Sequence, residues 1–478
     1  MKQNFNFPEF FFKRANIPAL ISHRCRLNYA EYGQLIQETM YLLHQWGIKY
    51  RDRVAVWQGQ DERFSVLLIA LVQIGAVAVP LNDRLSTDTI LILLRRINCN
   101  YLIGPRDSHK LVEQGTVECF PLEEISLTVT NKKGEQQLSG IDLDQEATIV
   151  FTSGSSGQPK AVLHTLGNHY FSALGSNLNL SLTIGDHWLL SLPIYHVGGL
   201  AIIFRCILAG ATQIIKQTND SIADSLQQFN VTHVSLVSTQ LYRLLFAKIS
   251  LHTYKNLKAV LVGGSKIRKG LLEQAVQAGF PLYLSYGNTE MASQITTTGP
   301  GEALQHLTTS GKCLPYREIA ISAEGEILTK GKTLCRGYVE EEKIMDVTNS
   351  EGWYQSGDQG FLDQNGYLTV TGRRDHMFIS GGENIYPEEI ENALNEIPEV
   401  EDAVVVDIPS AEYGARPVAF IKSAYSLPVY PDSIKLHLQT RLPNFKIPDY
   451  FLPWPAEISD QLKPDRSWLK KRAREEIE

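Results

Sequence analysis

A run of small and hydroxyl-bearing residues that ends in a lysine occupies residues 152–160, directly after an apolar stretch ending at Phe151. In such a loop, backbone N–H groups can approach an anion, hydroxyls donate further hydrogen bonds and the lysine adds positive charge. The run does not match the Walker pattern, because Pro159 precedes Lys160 and Ala161 stands where that pattern has a metal-binding Ser or Thr. It is therefore either a triphosphate loop of another type or an ordinary surface turn.

A second candidate for chemistry is Arg205, the one charged residue inside a long apolar stretch over residues 192–211. A guanidinium buried without a partner costs several kcal/mol, so Arg205 requires a carboxylate or several carbonyl oxygens. Its partner is either a structural acid or a second carboxylate on a bound substrate, unless the side chain reaches out to solvent. His196, earlier in the same stretch, is either a pocket residue or a satisfied core histidine.

An α/β framework must position these residues. Short Val- and Ile-rich runs, apolar throughout as in strands buried on both faces of a parallel sheet, alternate with amphipathic stretches. The predicted strands lie at residues 54–57, 101–103, 148–151, 234–237 and 259–262, and the predicted helices include 32–46 and 221–229. The apolar run over residues 66–81 predicts a helix leading into a strand, since a membrane span needs ~20 residues.

Composition excludes several functional classes. The chain has 478 residues, and domains of ordinary size predict roughly 2 to 4 of them. A formal net charge of −7 offers no basic surplus for a nucleic-acid backbone. Six cysteines without paired spacing indicate neither a zinc site nor a disulfide framework, and the N-terminus is unlike a signal peptide. We therefore expect a cytoplasmic protein without nucleic-acid partners or membrane insertion.

The sequence pattern changes after residue 310. Residues 324–330 and 366–371 predict short strands of a small β region, and residues 372–375, which lack an apolar anchor, predict a linker. Beyond the linker, a helix over 387–394, strands at 404–406 and 418–421, and a charged terminal helix predict an α+β domain. We therefore predict an α/β fold with two domains. A large N-terminal domain over residues 1–374 carries doubly wound sheets and the small β region, and a small mobile C-terminal domain covers residues 375–478.

Five segments, in the same order along the chain, resemble the signature motifs of the adenylate-forming superfamily, which includes acyl-CoA synthetases, luciferases and peptide-synthetase adenylation domains. They are the loop at 152–160, Tyr-Gly-Asn-Thr-Glu at 286–290, Trp-Tyr-Gln-Ser-Gly-Asp at 353–358, Gly-Arg-Arg-Asp at 372–375 with the segment 379–387, and Lys463. The resemblance covers essentially the whole chain. It implies an acid–thiol ligase in which a carboxylate attacks the α-phosphorus of ATP and the acyl group then passes from AMP to CoA.

The resemblance also implies how ATP and Mg²⁺ are bound. Glu290 is the expected Mg²⁺ ligand, because this ion prefers carboxylate and phosphate oxygens. Asp358 would accept the ribose hydroxyls with support from Arg373, while the backbone at 263–265 and the ring of Tyr286 would contact adenine. The expected ATP-binding residues are Thr152, Ser153, Gly154, Ser155, Ser156, Gly157, Lys160, Gly263, Gly264, Ser265, Tyr286, Gly287, Asp358 and Arg373.

For the second half-reaction, the resemblance implies a rotation of the C-terminal domain about a hinge at Asp375. Lys463 is the expected lysine that bridges acyl carboxylate and phosphate, with Lys470 or Lys471 as alternatives because Leu462 replaces the usual glycine. The expected catalytic residues are Lys463, Thr289, Glu290 and His196, and the expected CoA-channel residues are Ser380, Gly381 and Gly382.

The acyl pocket resembles that of one subfamily, the o-succinylbenzoate–CoA ligases of menaquinone and phylloquinone biosynthesis. The resemblance lies in His-Val-Gly-Gly at 196–199, in Arg205 nine residues after the His, and in Glu-Met-Ala-Ser at 290–293. Only the succinyl carboxylate of that substrate reacts, so the aromatic carboxylate requires a polar clamp. The resemblance implies His196, Gly198, Arg205 and Ser293 as the acyl-substrate residues.

Two other functions stay open at this point. An aryl- or fatty-acyl-CoA ligase of the same superfamily would need no buried arginine. A carrier-protein loading or nucleotide-binding regulatory module would make no CoA thioester, and the presence of Lys463, the hinge and the 380–382 loop argues against it. The expected partners are a small-molecule carboxylate, ATP and CoA, and homo-oligomers are common in the superfamily.

Overall fold

The protein is represented by a computed structural model. It describes residues 4–57, 61–106, 108, 117–130, 137–152, 159–217, 220–247, 255–264, 267, 269–302, 304–306, 308–424, 431–458 and 465–477. The helices are α1 (Phe7–Phe12), α2 (Tyr29–Gln45), α3 (Glu62–Ile74), α4 (Thr87–Arg96), α5 (Leu166–Leu180), α6 (Val197–Ala209), α7 (Ile222–Gln228), α8 (Ser238–Phe246), α9 (Lys269–Gln277), α10 (Pro387–Leu394), α11 (Pro431–Gln439) and α12 (Arg466–Ile477).

The strands in the same part of the chain are β1 (Asn4–Asn6), β2 (Pro18–Ile21), β3 (Arg26–Asn28), β4 (Arg53–Trp57), β5 (Val77–Leu81), β6 (Tyr101–Gly104), β7 (Glu118–Pro121), β8 (Gly140–Asp142), β9 (Glu146–Thr152), β10 (Lys160–Thr165), β11 (His187–Leu189), β12 (Thr212–Ile214), β13 (His233–Leu236), β14 (Ala259–Val262), β15 (Leu282–Asn288), β16 (Ser293–Thr297), β17 (Lys312–Cys313), β18 (Arg317–Ile321), β19 (Glu326–Gly331), β20 (Gly337–Glu340), β21 (Lys343–Met345), β22 (Tyr354–Leu362), β23 (Leu368–Arg373), β24 (Phe378–Ser380), β25 (Glu383–Ile385), β26 (Val400–Ser410), β27 (Gly414–Ser423) and β28 (Tyr450–Pro453).

Two large sheets carry the N-terminal part. One has the order β21-β20-β10-β9-β5-β4-β6-β7, and the other has the order β17-β16-β15-β14-β13-β11-β12-β2-β3. Their central strands pair in parallel and are apolar on both faces; β5 and β14, for example, are buried along their whole length. All five predicted strands are confirmed within one or two residues at each end, as are the two predicted helices within about one turn.

The most apolar run of the sequence forms α3 followed by β5, which confirms the predicted helix and strand. Asp61 caps α3 by accepting from the backbone N–H of Arg63, and Gly75 ends the helix at φ +76°. Nearly every residue of α3 is buried, so the helix is apolar all round because both of its faces pack against neighbouring elements. Among the helices that the structure describes, none has both the length and the apolar character needed to cross a membrane.

The small β region is the antiparallel sheet β18-β19-β22-β23, as predicted. The prediction that residues 372–375 form a linker is wrong for its first half. Gly372 and Arg373 are the last residues of β23 and pair with Gln359 and Asp358 of β22. The strand needs no apolar anchor here, because backbone pairing extends it and the charge of Arg373 lies opposite the carboxylate of Asp358.

The C-terminal part has its own hydrophobic core. The three-stranded sheet β26-β27-β28 packs against α10 and α11 on one side and α12 on the other. Both core clusters consist entirely of residues from Phe378 onwards. This separation agrees with a domain of its own, although the exact boundary after residue 374 stays a prediction.

Candidate active site

The site is built around the turn between β15 and β16, which carries Thr289 and Glu290. The two strands approach so closely that a Cβ at Gly287 would lie 1.9 Å from the carbonyl oxygen of Ser293, so only glycine fits there. The side chain of Asn288 accepts from the backbone N–H of Met291 at 2.9 Å and starts the turn. The turn therefore presents Glu290 at one end and Ser293 at the other.

Glu290 is a buried carboxylate, 8% exposed, that accepts a hydrogen bond of 2.8 Å from the hydroxyl of Tyr338. Burial, together with the charge of Glu290, raises the pKa of Tyr338, so the hydroxyl stays a donor. No salt bridge to Glu290 is formed within the described ranges. A buried carboxylate without a cationic partner fits a divalent cation, and Glu290 would hold Mg²⁺ there.

The described residues contain no group of three His, Cys, Asp or Glu side chains that could hold a metal by themselves. A cation at Glu290 would therefore need oxygen ligands from a bound phosphate chain. This agrees with the coordination that Mg²⁺ prefers in nucleotide sites, where protein supplies one or two carboxylates.

The predicted phosphate loop lies in the sequence between β9 and β10, which pair with each other. Thr152 at the end of β9 pairs with Lys160 at the start of β10, and the ammonium of Lys160 lies 4.8 Å from the ring centre of Tyr338. The fold therefore brings Lys160 to the ring whose hydroxyl contacts Glu290. The predicted ATP-binding residues Ser153, Gly154, Ser155, Ser156 and Gly157 lie outside the described residues.

The nucleoside side of the site is formed by Tyr286 and the paired ends of β22 and β23. The hydroxyl of Tyr286 donates to Asp358 at 2.6 Å, and the guanidinium of Arg373 lies 3.6 Å from the same carboxylate. Burial, reinforced by Asp358, raises the pKa of Tyr286 well above its usual value. Three residues predicted from separate motifs thus meet in one cluster, where Asp358 can accept the hydroxyls of a ribose.

Arg373 also reaches the predicted hinge. It donates to both carboxylate oxygens of Asp375, at 2.8 and 3.1 Å. Burial disfavours the charge on Arg373, but the hydrogen bond to Asp375 and the charges of both acids outweigh it and raise its pKa. Arg373 therefore links the nucleoside cluster to the hinge.

The backbone predicted to face adenine follows β14. A Cβ at Gly263 would lie 2.6 Å from the hydroxyl oxygen of Ser285, and Gly264 has a φ of +88°. Both positions thus favour glycine for steric reasons, which leaves a flat backbone surface next to β15, the strand that carries Tyr286. Ser265 lies outside the described residues.

Arg205 is 1% exposed on α6, and its Nη2 donates to the hydroxyl of Ser293 at 3.1 Å. Its Nε is buried without a hydrogen-bond partner among the described residues, and its guanidinium lies 5.2 Å from the ring centre of Trp188. Burial, with a smaller contribution from the charge of Arg317, lowers the pKa of Arg205 to about 9. No carboxylate forms a salt bridge with Arg205 in the part of the chain that the structure describes.

The two residues predicted as a carboxylate clamp are therefore in direct contact, 88 positions apart in the chain. The cation lacks a structural acid, which favours the hypothesis of a substrate carboxylate over that of a structural ion pair. Gly198 lies seven residues before Arg205, on the same face of α6 and two turns away. A Cβ at Gly198 would lie 3.3 Å from the side chain of Leu192, which is a tight contact.

His196 takes a different position from the other acyl-pocket candidates. It is the exposed residue just before α6, with its ring 4.7 Å from that of Tyr195. Nine residues along a helix correspond to about 13 Å, so His196 lies at the far end of α6 from Arg205. His196 therefore does not lie beside the clamp, and its predicted catalytic and acyl-substrate roles stay predictions.

In the C-terminal part, Ser380, Gly381 and Gly382 form the tight turn between β24 and β25. Gly381 and Gly382 have φ values of +59° and +88°, and Ser380 is buried against Arg416. Lys463 lies outside the described residues. Of its alternatives, Lys470 forms an ion pair of 2.5 Å with Asp407, and Lys471 is an exposed residue of α12.

Sequence reasoning missed four polar residues near the turn: Tyr338, Arg317, Ser172 and His164. Arg317 is buried and donates to the backbone of Gln294 and Pro315 and to Ser172, and burial lowers its pKa to about 10. Ser172 lies on the buried face of α5. Of these residues, only Arg317 could have been noticed in the sequence, because it is a charged residue at the start of a strand.

Comparison with known proteins relates this geometry to a family. The AMP-binding enzyme family matches residues 8–339, and the AMP-binding enzyme C-terminal domain matches residues 389–458. The chain is 36% identical to 2-succinylbenzoate–CoA ligase of Listeria monocytogenes, over 90% of this chain and 91% of that relative. It is 32% identical to 2-succinylbenzoate–CoA ligase of Bacillus subtilis, over 93% of each chain.

Solved structures agree with these relatives. The chain superposes with a TM-score of 0.88 and 30% identity on o-succinylbenzoate CoA synthetase from Bacillus subtilis in complex with the acyl-adenylate intermediate OSB-AMP, over 98% of each chain. It superposes with a TM-score of 0.85 on the Bacillus subtilis enzyme in complex with ATP and magnesium ion, at 30% identity, over 95% of this chain and 96% of that one.

Proposed function

The chain belongs to the AMP-binding enzyme family, as an AMP-forming acid–thiol ligase, and on this premise we propose that it activates o-succinylbenzoate with ATP and transfers the acyl group to CoA. The observation that carries the choice of acid is the Arg205–Ser293 pair, a buried cation near the turn that has no carboxylate partner among the described residues. A dicarboxylate can supply that missing anion with its non-reacting end.

In the first half-reaction, the two carboxylates of the substrate have different roles. The aromatic carboxylate binds Arg205 and Ser293, where the buried guanidinium is more weakly screened than at the surface. Ser293 is only three residues from Glu290 along the turn. The succinyl carboxylate of a substrate bound at the clamp therefore extends towards the phosphates. Holding both reactants in one geometry supplies much of the rate acceleration in such a step.

We assign the ATP contacts to the clusters described above. Asp358 and Arg373 orient the ribose, Tyr286 and the 263–264 backbone contact the base, and Thr152, Thr289 and Lys160 surround the phosphates. Glu290, positioned by the hydroxyl of Tyr338, would hold Mg²⁺, which when bound neutralises phosphate charge as pyrophosphate leaves. We assign Lys463 to the bridge between acyl carboxylate and α-phosphate.

In the second half-reaction the acyl group passes from AMP to the thiol of CoA. We propose that residues 375–478 rotate about Asp375, which withdraws Lys463 and presents the 380–382 turn. The absence of side-chain bulk at Gly381 and Gly382 suits a narrow pantetheine channel. All six cysteines are free thiols, in keeping with the cytoplasmic location that we infer for an enzyme using ATP and CoA.

The test is a pyrophosphate-release assay with CoA present, over o-succinylbenzoate, 3-benzoylpropanoate and straight-chain fatty acids. 3-Benzoylpropanoate is the matched control, because it lacks only the aromatic carboxylate. We expect kcat/KM for o-succinylbenzoate to exceed that for the control by at least about tenfold, since a charged hydrogen bond is worth ~1.5 to 3 kcal/mol. The thioester should appear by mass spectrometry.

Other outcomes would assign a different activity. Equal or better turnover of 3-benzoylpropanoate or of a fatty acid would make the chain an aryl- or fatty-acyl-CoA ligase. Pyrophosphate release without any thioester would indicate a carrier-protein loading module.

A further inference from the structure

The turn that joins Glu290 to Ser293 has an unusual backbone. Ala292 has a φ of +52° and Ser293 a φ of +105°, two consecutive non-glycine residues in a region that side chains disfavour. Such a backbone persists only where surrounding groups hold it, and it is found most often at functional sites. The turn also separates the proposed metal ligand from the proposed carboxylate clamp by three residues.

Three carbonyl oxygens of this turn accept hydrogen bonds from groups outside it. His164 Nε2 lies 2.7 Å from the oxygen of Thr289, the backbone N–H of Cys335 donates to Glu290 at 2.7 Å, and the hydroxyl of Ser172 donates to Ala292 at 2.6 Å. The turn is therefore held from β10, from the segment before β20 and from α5.

The hydrogen bond from His164 determines its tautomer. A carbonyl oxygen only accepts, so Nε2 carries the proton and Nδ1, 3.5 Å from the hydroxyl of Thr148, is the acceptor. That hydroxyl oxygen in turn lies 2.8 Å from His169 Nε2. Both histidines are buried, and burial lowers the pKa of His164 to about 4, so the imidazole that holds Thr289 is neutral.

Ser172 belongs to a buried polar stripe on α5, with Asn168 and Ser176 one turn away on either side. Asn168 donates to the carbonyl of Leu334 at 2.7 Å, and Ser176 donates to the side chain of Gln294 at 2.7 Å. Core-facing helix positions are usually apolar. Here the stripe faces the turn and the two segments beside it, and Ser172 alone of the three bonds the turn itself.

We propose that His164 and Ser172 are positioning residues that hold the strained turn, so that the carboxylate of Glu290 and the Arg205–Ser293 clamp keep the spacing that an o-succinylbenzoate substrate requires. The inference deepens the proposed function and rests on it. His164 acts at the Thr289 end, next to the phosphates, whereas Ser172 acts at the Ala292 end, next to the clamp.

The two ends should affect different kinetic constants. Loss of the His164 donor frees the Thr289–Glu290 end and lowers kcat of adenylation for every acid that the enzyme activates. Loss of the Ser172 donor releases the Ala292–Ser293 end and raises KM for the dicarboxylate selectively, because 3-benzoylpropanoate does not use the clamp. If a substitution only destabilised the fold, Tm would fall and the kinetic constants for both acids would change equally.

The experiment measures pyrophosphate release and thermal unfolding of the full chain. Ser172→Ala is compared with Ser176→Ala, which removes a hydroxyl of the same burial from the same helix face. We expect Ser172→Ala to raise KM for o-succinylbenzoate about fivefold or more, with KM for 3-benzoylpropanoate changed less than about twofold. Ser176→Ala should lower Tm by about as much as Ser172→Ala does. It should leave the ratio of the two KM values unchanged. The same ratio in both variants would overturn the role of Ser172.

A second pair tests His164 independently. His164→Leu removes the donor, whereas His164→Gln keeps an N–H that can reach the Thr289 carbonyl. We expect kcat to fall about tenfold in the leucine variant and to recover to within about threefold of wild type in the glutamine variant. A glutamine variant as slow as the leucine variant, at equal Tm, would overturn the role of His164. This part of the experiment uses whichever acid the wild-type enzyme activates. Its result therefore does not depend on whether o-succinylbenzoate is the substrate.

Discussion

Arg205 and Arg373 both belong to the proposed active site, but their guanidinium groups have opposite surroundings. Arg205 is almost fully buried and bonds a hydroxyl, and burial lowers its pKa to about 9. Arg373 is partly exposed, donates to both oxygens of Asp375 and lies beside Asp358, and these partners raise its pKa. A guanidinium that has no acidic partner among the described residues can bind a substrate anion. A guanidinium that is paired with carboxylates instead connects protein segments.

The paired region continues past the hinge. Next to Asp375, the imidazole of His376 contacts the carboxylate of Glu388, and Arg466 at the start of α12 bonds Glu391. Ion pairs at partly exposed positions contribute little net stability. The difference between the two regions agrees with a pocket for one ligand arrangement and with the proposed hinge, which would adopt two arrangements.

The largest effect is expected at Lys463, in the C-terminal part that we propose to rotate. Lys463→Ala should lower the rate of acyl-AMP formation by about 100-fold or more, as the loss of a transition-state charge contact does. It should leave conversion of supplied acyl-AMP and CoA to thioester nearly unchanged, because that step needs the lysine withdrawn. The two half-reactions are assayed separately, with Lys470→Ala as the matched control, since Lys470 is paired with Asp407.

Equal damage to both half-reactions in Lys463→Ala would mean that the C-terminal part does not alternate. A large adenylation defect in Lys470→Ala instead would move the assignment to that residue.

The next largest effect should come from the unpaired cation. Arg205→Ala should raise KM for o-succinylbenzoate by at least about tenfold with little change in KM for ATP, because a charged hydrogen bond worth ~1.5 to 3 kcal/mol is lost. Steady-state kinetics with 3-benzoylpropanoate provide the control. An equal loss on that monocarboxylate would show that Arg205 is structural and would remove the contrast with Arg373.

A smaller effect is expected at the hinge. Asp375→Pro fixes one backbone torsion and should slow thioester formation several-fold more than adenylation. Asp375→Asn keeps the torsional freedom but weakens the bond to Arg373, so it separates rotation from ion pairing. If the asparagine variant shows the same preference for the first half-reaction, the ion pair rather than the torsion controls the motion.

The last prediction concerns the buried imidazole of His164. The pKa of His164 is about 4 in the folded protein, below the ordinary 6.5, so the unfolded chain binds more protons between these values. The folded state therefore loses stability as pH falls through that window, by about 2 kcal/mol between pH 7 and 5. Urea unfolding of wild type and His164→Gln should diverge over this range, and parallel curves would contradict a buried neutral imidazole.

Much of this protein could be predicted from local patterns. Apolar runs located the buried strands, since their faces alternate or stay apolar over a few residues. The helix 387–394 was predicted with its observed ends, because Pro387 suits a first helical turn. Arg205 was recognisable because a charge inside an apolar run requires a special partner. The error at residues 372–373 arose because strand pairing depends on a partner strand and not on local polarity.

The sequence by itself determined the set of chemical groups, the elements that carry them and the family to which they belong. Only the tertiary structure decided which groups meet: Arg205 with Ser293, Tyr338 with Glu290, and His164 with the carbonyl of Thr289. These partners are 88, 48 and 125 positions apart, respectively. Local periodicity extends over a few residues of one helix or strand, whereas such hydrogen bonds depend on how whole sheets and helices pack.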